Sequence, residues 1–183
     1  IQRGGVRVYS PSNDWDANFA GGYVGGAQIT QTGSEPLVAV VNQNSTQYTS
    51  LGSTYEGFGP DDAGATFNLP LVAANNSGYL TGIQIQAVSG SPQVTVDYGT
   101  NTGGGSLTEP VNDTKTLSAG ETWTLIQSGP PGALSGNNDW STAGQYVGSA
   151  KVTATGGDIV AIVNFNGPAD TGDTFYTYNG IKQ

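Results

Sequence analysis

The chain of 183 residues contains no cysteine, no methionine and no histidine. Without cysteine no disulfide can staple the fold, so stability has to come from a packed core or from assembly. Without histidine and cysteine the chain loses the commonest transition-metal ligands, the usual base at neutral pH and the nucleophilic thiol. A serine triad built on histidine is excluded outright. Lacking cysteine and methionine, the chain also has no strongly oxidation-sensitive side chain, which suits an exposed location.

Charge is scarce as well. Charged residues are 10% of the chain, against roughly 25% in an ordinary soluble domain. Five Lys and Arg stand against 14 Asp and Glu, a net charge of -9. Phosphate recognition needs a basic stripe and there is none, so nucleic acid is not an expected partner, nor is an anionic membrane surface. No apolar run approaches the ~18 residues that span a bilayer, so membrane insertion is not expected. A chain without methionine reads as processed or as a piece, and a removed secretory leader is the expectation. The expected location is therefore secreted, extracellular and associated with a cell surface.

What is present is Gly, Thr, Ser, Asn and Gln in quantity, with 29 Gly and 9 Pro. Apolar residues total 36% and gather in short runs. Alternation of period two runs through residues 82–88, where Ile83, Ile85 and Ala87 share a face, and 93–98, where Val94, Val96 and Tyr98 do. It recurs at Ala150, Val152 and Ala154. Strands are expected at 66–73, 82–88, 93–98, 114–117 and 121–126. Residues 118–121 read as a turn and 101–105 (NTGGG) as a flexible loop. No stretch carries a convincing helical period. Short strands with a turn about every ten residues predict an all-β antiparallel sandwich.

An internal repeat organises the chain. Residues 24–32 (VGGAQITQT) match 147–155 (VGSAKVTAT), 37–44 (LVAVVNQN) match 159–166 (IVAIVNFN), and 54–57 (TYEG) match 177–180 (TYNG), at offsets of 123, 122 and 123. Asn-Asp-Trp precedes both copies, at Trp15 and Trp140. Residues 4–10 (GGVRVYS) take the place of 121–127. The first copy has nothing to match residues 66–117. The expected organisation is a truncated module over 1–58, a linker over 59–65 and a complete module over 66–183.

Two runs, 37–41 and 159–163, are apolar at every position. A strand with one wet face does not read this way. Such strands are either covered on both sides or meet another module or subunit. Leu37, Val38, Val40, Val41, Ile159, Val160, Ile162 and Val163 are accordingly the candidate interface residues. An incomplete sandwich has two outcomes: packing against the complete module within the chain, or completion by a neighbouring subunit through strand addition.

The blocks 69–99, 117–125, 147–166 and 174–180 resemble the Ig-like repeats strung along large secreted and cell-surface proteins of bacteria. In those repeats a GYxTGIQIQNV-like strand, a VTVxY strand, an LxPGxS turn, a GSAxVT strand and a VAVVN strand follow in order. The matching stretches here are 78–88, 94–98, 117–122, 148–153 and 160–164. The resemblance covers 66–180 fully and 4–58 in part. It implies an Ig-like sandwich and an extracellular setting, and carries no catalytic residues with it.

Weighed as chemistry, the remaining candidates are thin. Asp61 and Asp62 fall in a Gly/Pro linker, where a solvated loop is the plain reading. Asp170 and Asp173 lie in another loop, in which calcium is the metal that hard oxygen ligands would suit, without the spacing of a known loop motif. No other cofactor is expected. Trp15 and Trp140 are either sugar platforms, as in a carbohydrate-binding module or an adhesin, or core residues closing each sandwich end. Lys151 is a candidate for an isopeptide crosslink to an Asn. Asn44, Asn75 and Asn112 open N-x-S/T sequons and are candidate glycan attachment points. The functional expectation is a non-catalytic subunit that self-assembles into a homopolymer (a filament, sheath or surface layer), with an adhesin or glycan-contacting module as the alternative.

Overall fold

A computed structural model of the chain describes residues 5–10, 25–44, 51–141, 145–168 and 172–183. Among these, regular structure is entirely β. Eleven strands are present: β1 (Val40–Asn44), β2 (Gly52–Glu56), β3 (Thr66–Ala74), β4 (Leu80–Ala87), β5 (Gln93–Tyr98), β6 (Asp113–Thr116), β7 (Thr122–Ile126), β8 (Tyr146–Thr155), β9 (Ile159–Asn166), β10 (Phe175–Asn179) and β11 (Ile181–Lys182). They form a four-stranded sheet ordered β10-β9-β4-β7, a five-stranded sheet ordered β11-β3-β8-β5-β6, and a separate β1-β2 pair. All pairings are antiparallel.

The alternating positions become the core. Ile83 and Ile85 of β4, Val94 and Val96 of β5, Val152 of β8, and Ile159, Ala161 and Val163 of β9 are buried in one cluster between the two larger sheets. Successive strand side chains point to opposite faces, so one face of each sheet packs inward. This is a β-sandwich, as the sequence pattern predicts. β3 contains Pro70, which has no N–H to give the ladder. The register against β8 shifts between Leu69 and Val72, so the proline sits in an irregularity that does not need that bond.

Two repeat matches differ in structure from their second-copy counterparts, and one loop expectation needs correction. Residues 25–32 and 5–10, which match β8 and β7 in sequence, form no strand. The reason lies in their neighbours: β8 is held between β3 and β5, and β7 is held by β4, whereas among the described residues no strand ladders with 25–32 or 5–10. A strand without a ladder partner leaves its backbone groups to water. The loop 101–105 is also pinned rather than free. Asn101 Oδ1 accepts from the N–H groups of Gly103 and Val147 at 2.7 and 3.0 Å, its amide donates to Gln145 O at 2.8 Å, and Thr102 N–H donates to Val147 O at 2.7 Å.

The end of the sandwich is closed by aromatic and polar groups together. Trp140 is fully buried, with Tyr98 edge-on at 5.3 Å and Tyr146 at 5.5 Å. Its indole N–H donates to Ser135 O at 3.0 Å. Beside it, the buried carboxylate of Asp113 accepts from the Tyr98 hydroxyl at 2.9 Å and from Asn137 N–H at 2.6 Å. Burial, with the Asp113 charge adding to it, pushes the Tyr98 phenol well above its ordinary range. The Asn-Asp-Trp segment of the second copy thus ties a loop onto the core.

Candidate interaction surface

The repeat has a structural identity at the level of single bonds. In the second copy Val163 of β9 is opposite Tyr178 of β10, and Ile162 is opposite Asn179. In the first copy Val41 of β1 is opposite Tyr55 of β2, and Val40 is opposite Glu56. The Thr177 hydroxyl lies 2.8 Å from Asn164 Oδ1, and the Thr54 hydroxyl lies 2.8 Å from Asn42 Oδ1. Gly180 N–H donates to Ala161 O at 2.8 Å, and Gly57 N–H donates to Ala39 O at 2.8 Å. β1-β2 is therefore β9-β10 again, in the same register.

The surroundings of the two hairpins differ. β9 lies between β4 and β10, whereas among the described residues β1 pairs with β2 alone. On β9 the residues between the core positions, Val160 and Ile162, point to the outer face of the sheet. Both are nevertheless only 6% exposed. The first copy lies over that face. Gly26 N–H donates to the Thr122 hydroxyl at 2.9 Å, and a Cβ on Gly26 would fall 2.6 Å from the Gln86 amide. Gln43 of β1 reaches the Thr177 hydroxyl at 3.2 Å, and Asn179 donates to Glu56 O at 3.3 Å. Of the two outcomes open to an incomplete sandwich, packing within the chain is the one these contacts describe.

The eight candidate interface residues consequently separate. Ile159, Val160, Ile162 and Val163 are buried within the chain, two in the core and two under the first copy; their unbroken apolar run has a reason inside the molecule. Leu37, Val38 and Val40 are exposed, and Val41 is half-buried on the opposite side of its strand. Among the described residues thirteen large apolar side chains are exposed, and seven belong to the short first copy: Val6, Val8, Tyr9, Ile29, Leu37, Val38 and Val40. More than half of the exposed large apolar side chains among the described residues thus lie in the first copy. The sequence does not reveal this separation, because the two runs read alike.

The other candidates stay apart. Trp140 is unavailable as a sugar platform, and Trp15 lies outside the described residues, as does Asp170. Asp173 accepts from Phe175 N–H at 3.2 Å and Gly52 N–H at 3.4 Å. Asp62 caps its own turn by accepting from Gly59 N–H at 2.6 Å, while Asp61 O accepts from the Lys182 ammonium at 2.6 Å. Among the described residues no three His, Cys, Asp or Glu side chains gather as a metal site. Lys151 is exposed on β8, opposite Asn68 on β3 and Asp97 on β5. Asn44, Asn75 and Asn112 are all exposed, but the Asn75 amide nitrogen already donates to Trp140 O at 2.6 Å. Two open depressions, of about 320 and 500 Å³, are lined by polar side chains such as Glu56, Asp62 and Asn179 in one and Asn68, Asp97 and Lys151 in the other.

No protein-family model matches the chain, and no curated protein or solved structure matches it. What the site can do has to be argued from its own geometry.

Proposed function

We propose that the protein is a non-catalytic, extracellular structural subunit, built of Ig-like modules, that self-assembles through the exposed apolar face of its first copy. The observation that carries this reading is one pair of equivalent positions. Val38 and Val40 are 79% and 59% exposed, while their counterparts Val160 and Ile162 are 6% exposed beside the first copy. Similar apolar side chains at the same register are thus covered in one copy and uncovered in the other. A second copy laid over Val38 and Val40 would cover them. Because the covering surface and the covered one differ, such a contact is heterologous and propagates rather than closing as a dimer. The net charge of -9 works against association, so assembly should strengthen as salt screens it.

The test is electron microscopy with size-exclusion chromatography of the purified chain, without ligand. Filaments or sheets are expected, and replacing Val38 and Val40 together with lysine should abolish them. Both positions are exposed, so folded stability should change by no more than about 0.5 kcal/mol at each. A persistent monomer at high concentration, or assembly indifferent to the double replacement, would overturn the proposal.

A further inference from the structure

One pair of positions breaks the likeness of the two hairpins. Phe165 of β9 is opposite Tyr176 of β10. At the same place in the first copy, Gln43 of β1 is opposite Ser53 of β2. The hairpin therefore closes in the same register with or without the aromatic pair, so its architecture does not call for it. Nor does the core. Among the described residues, neither Phe165 nor Tyr176 belongs to the buried cluster between the sheets or to the half-buried side chains packed on it. A third ring joins them. Tyr79 closes the turn before β4 by exchanging backbone bonds with Asn76 at 2.9 and 3.1 Å. Its ring stacks on that of Phe165, with centroids 5.2 Å apart and planes 23° from parallel. Tyr79 also lies against the Gly167 backbone, where a Cβ would not fit.

The outermost ring of the group is Tyr176, which is 56% exposed. Its hydroxyl donates to Asp173 O at 3.0 Å, which fixes the ring on the loop before β10. Asp173 is itself exposed and is held by the Phe175 and Gly52 N–H groups, so a positioned carboxylate stands near the tip of the ring. We propose that Tyr176, backed by Phe165 and Tyr79, is a stacking site for a neutral saccharide. The face of an aromatic ring is electron-rich, and the C–H face of a pyranose is an apolar surface of the opposite polarity. The hydroxyls around that sugar ring are donors, for which the Asp173 carboxylate and the Tyr176 phenol oxygen are acceptors. A ring already fixed by its hydroxyl loses little freedom on binding. The net charge of -9 repels anionic polysaccharides, which leaves neutral ones. A cation is the competing ligand for an aromatic face. Enclosing an ammonium takes rings that face one another across a gap, whereas Tyr79 and Phe165 are stacked in contact. The inference does not rest on assembly, because none of these residues belongs to the first copy.

The test is titration of the full chain with cellohexaose, maltohexaose and N-acetylated chitohexaose, followed by calorimetry and by the aromatic signals in NMR. At least one should bind and shift the ring signals of Tyr176. Tyr176→Ala should weaken that binding about tenfold or more, as removal of a central aromatic contact does. Tyr176→Phe keeps the ring face and should stay within about threefold. Circular dichroism checks that both variants fold, and should Tyr176→Ala fail to, the ring shifts of the unaltered chain together with Tyr176→Phe decide. Binding of none of the three saccharides would overturn the inference. So would binding that Tyr176→Ala leaves unchanged, or an equal loss in Tyr176→Ala and Tyr176→Phe. Tetramethylammonium shifting the Tyr176 ring where no saccharide does would make the site a cation receptor and overturn it as well. A chain that binds saccharide and stays monomeric would overturn the assembly reading and leave the saccharide site standing.

Discussion

The hairpins β1-β2 and β9-β10 share a register, a threonine–asparagine side-chain contact and a closing glycine bond, yet β9-β10 is one side of a four-stranded sheet and β1-β2 is its own two-stranded layer. Local sequence is sufficient to specify a hairpin, because cross-strand pairs and turn closure are short-range interactions. Burial depends on whether other strands are there to cover it. Two closely similar runs, Leu-Val-Ala-Val-Val at 37–41 and Ile-Val-Ala-Ile-Val at 159–163, are surface in one copy and buried in the other.

The largest expected difference is in packing. Ile159→Ala removes a fully buried side chain and should cost about 2–5 kcal/mol, whereas Leu37→Ala, at the equivalent exposed position, should stay within about 0.5 kcal/mol. Urea unfolding of the two variants measures this. Equal costs would mean that the first-copy strand is covered after all, and the comparison would fail.

The closing glycines sharpen it next. A Cβ on Gly180 would lie 3.0 Å from Leu69 Cδ2, 3.2 Å from Ala161 O and 3.3 Å from Phe67 Cδ1. On Gly57 it would lie 2.9 Å from Ala39 Cβ and 3.3 Å from Ala39 O. The carbonyl contact is common to both, but only Gly180 presses on packed core side chains. Gly180→Ala should cost about 1–3 kcal/mol through overpacking. Gly57→Ala should cost less, because its two-stranded layer can shift. Thermal unfolding of the pair decides the order.

The smallest effect is in titration. Burial raises the phenol of Tyr55 and pushes its counterpart Tyr178 up to about 12. For a group whose proton is held more tightly in the folded state, the contribution to stability is complete below its ordinary value of 10.0 and is lost as pH rises toward about 12. Tyrosinate absorbance should show Tyr55 ionising before Tyr178, with Tyr→Phe variants assigning each. A reversed order would contradict the deeper burial of the second hairpin.

Much of this was legible beforehand. The strand at 93–98 appears with the bounds its alternation predicts, and the repeat located the twin hairpins because it marks both strands and the turn-closing glycine. Less legible was the end of the sandwich. Asp113 reads as a surface residue inside an Asn-Asp-Thr sequon, yet its carboxylate is buried under Tyr98 and the 137 backbone. No local pattern announces a hydrogen bond across 24 residues. The failure of residues 5–10 and 25–32 to form strands was invisible for a related reason: alternation records the intention to pair, and a ladder needs a partner.

By itself, then, the sequence determined the all-β class, the strands from 66 to 126, the repeat, and the absence of the thiol and imidazole chemistry that cysteine and histidine would bring. These rest on composition and on a period of two, which are properties of neighbouring residues. Only the tertiary structure decided which of two similar apolar runs is core and which is surface. That distinction is set by strands distant in the chain: β4 stands beside β9 and the first copy lies over Val160 and Ile162, whereas among the described residues β1 has β2 on one side and no strand in the place of β4.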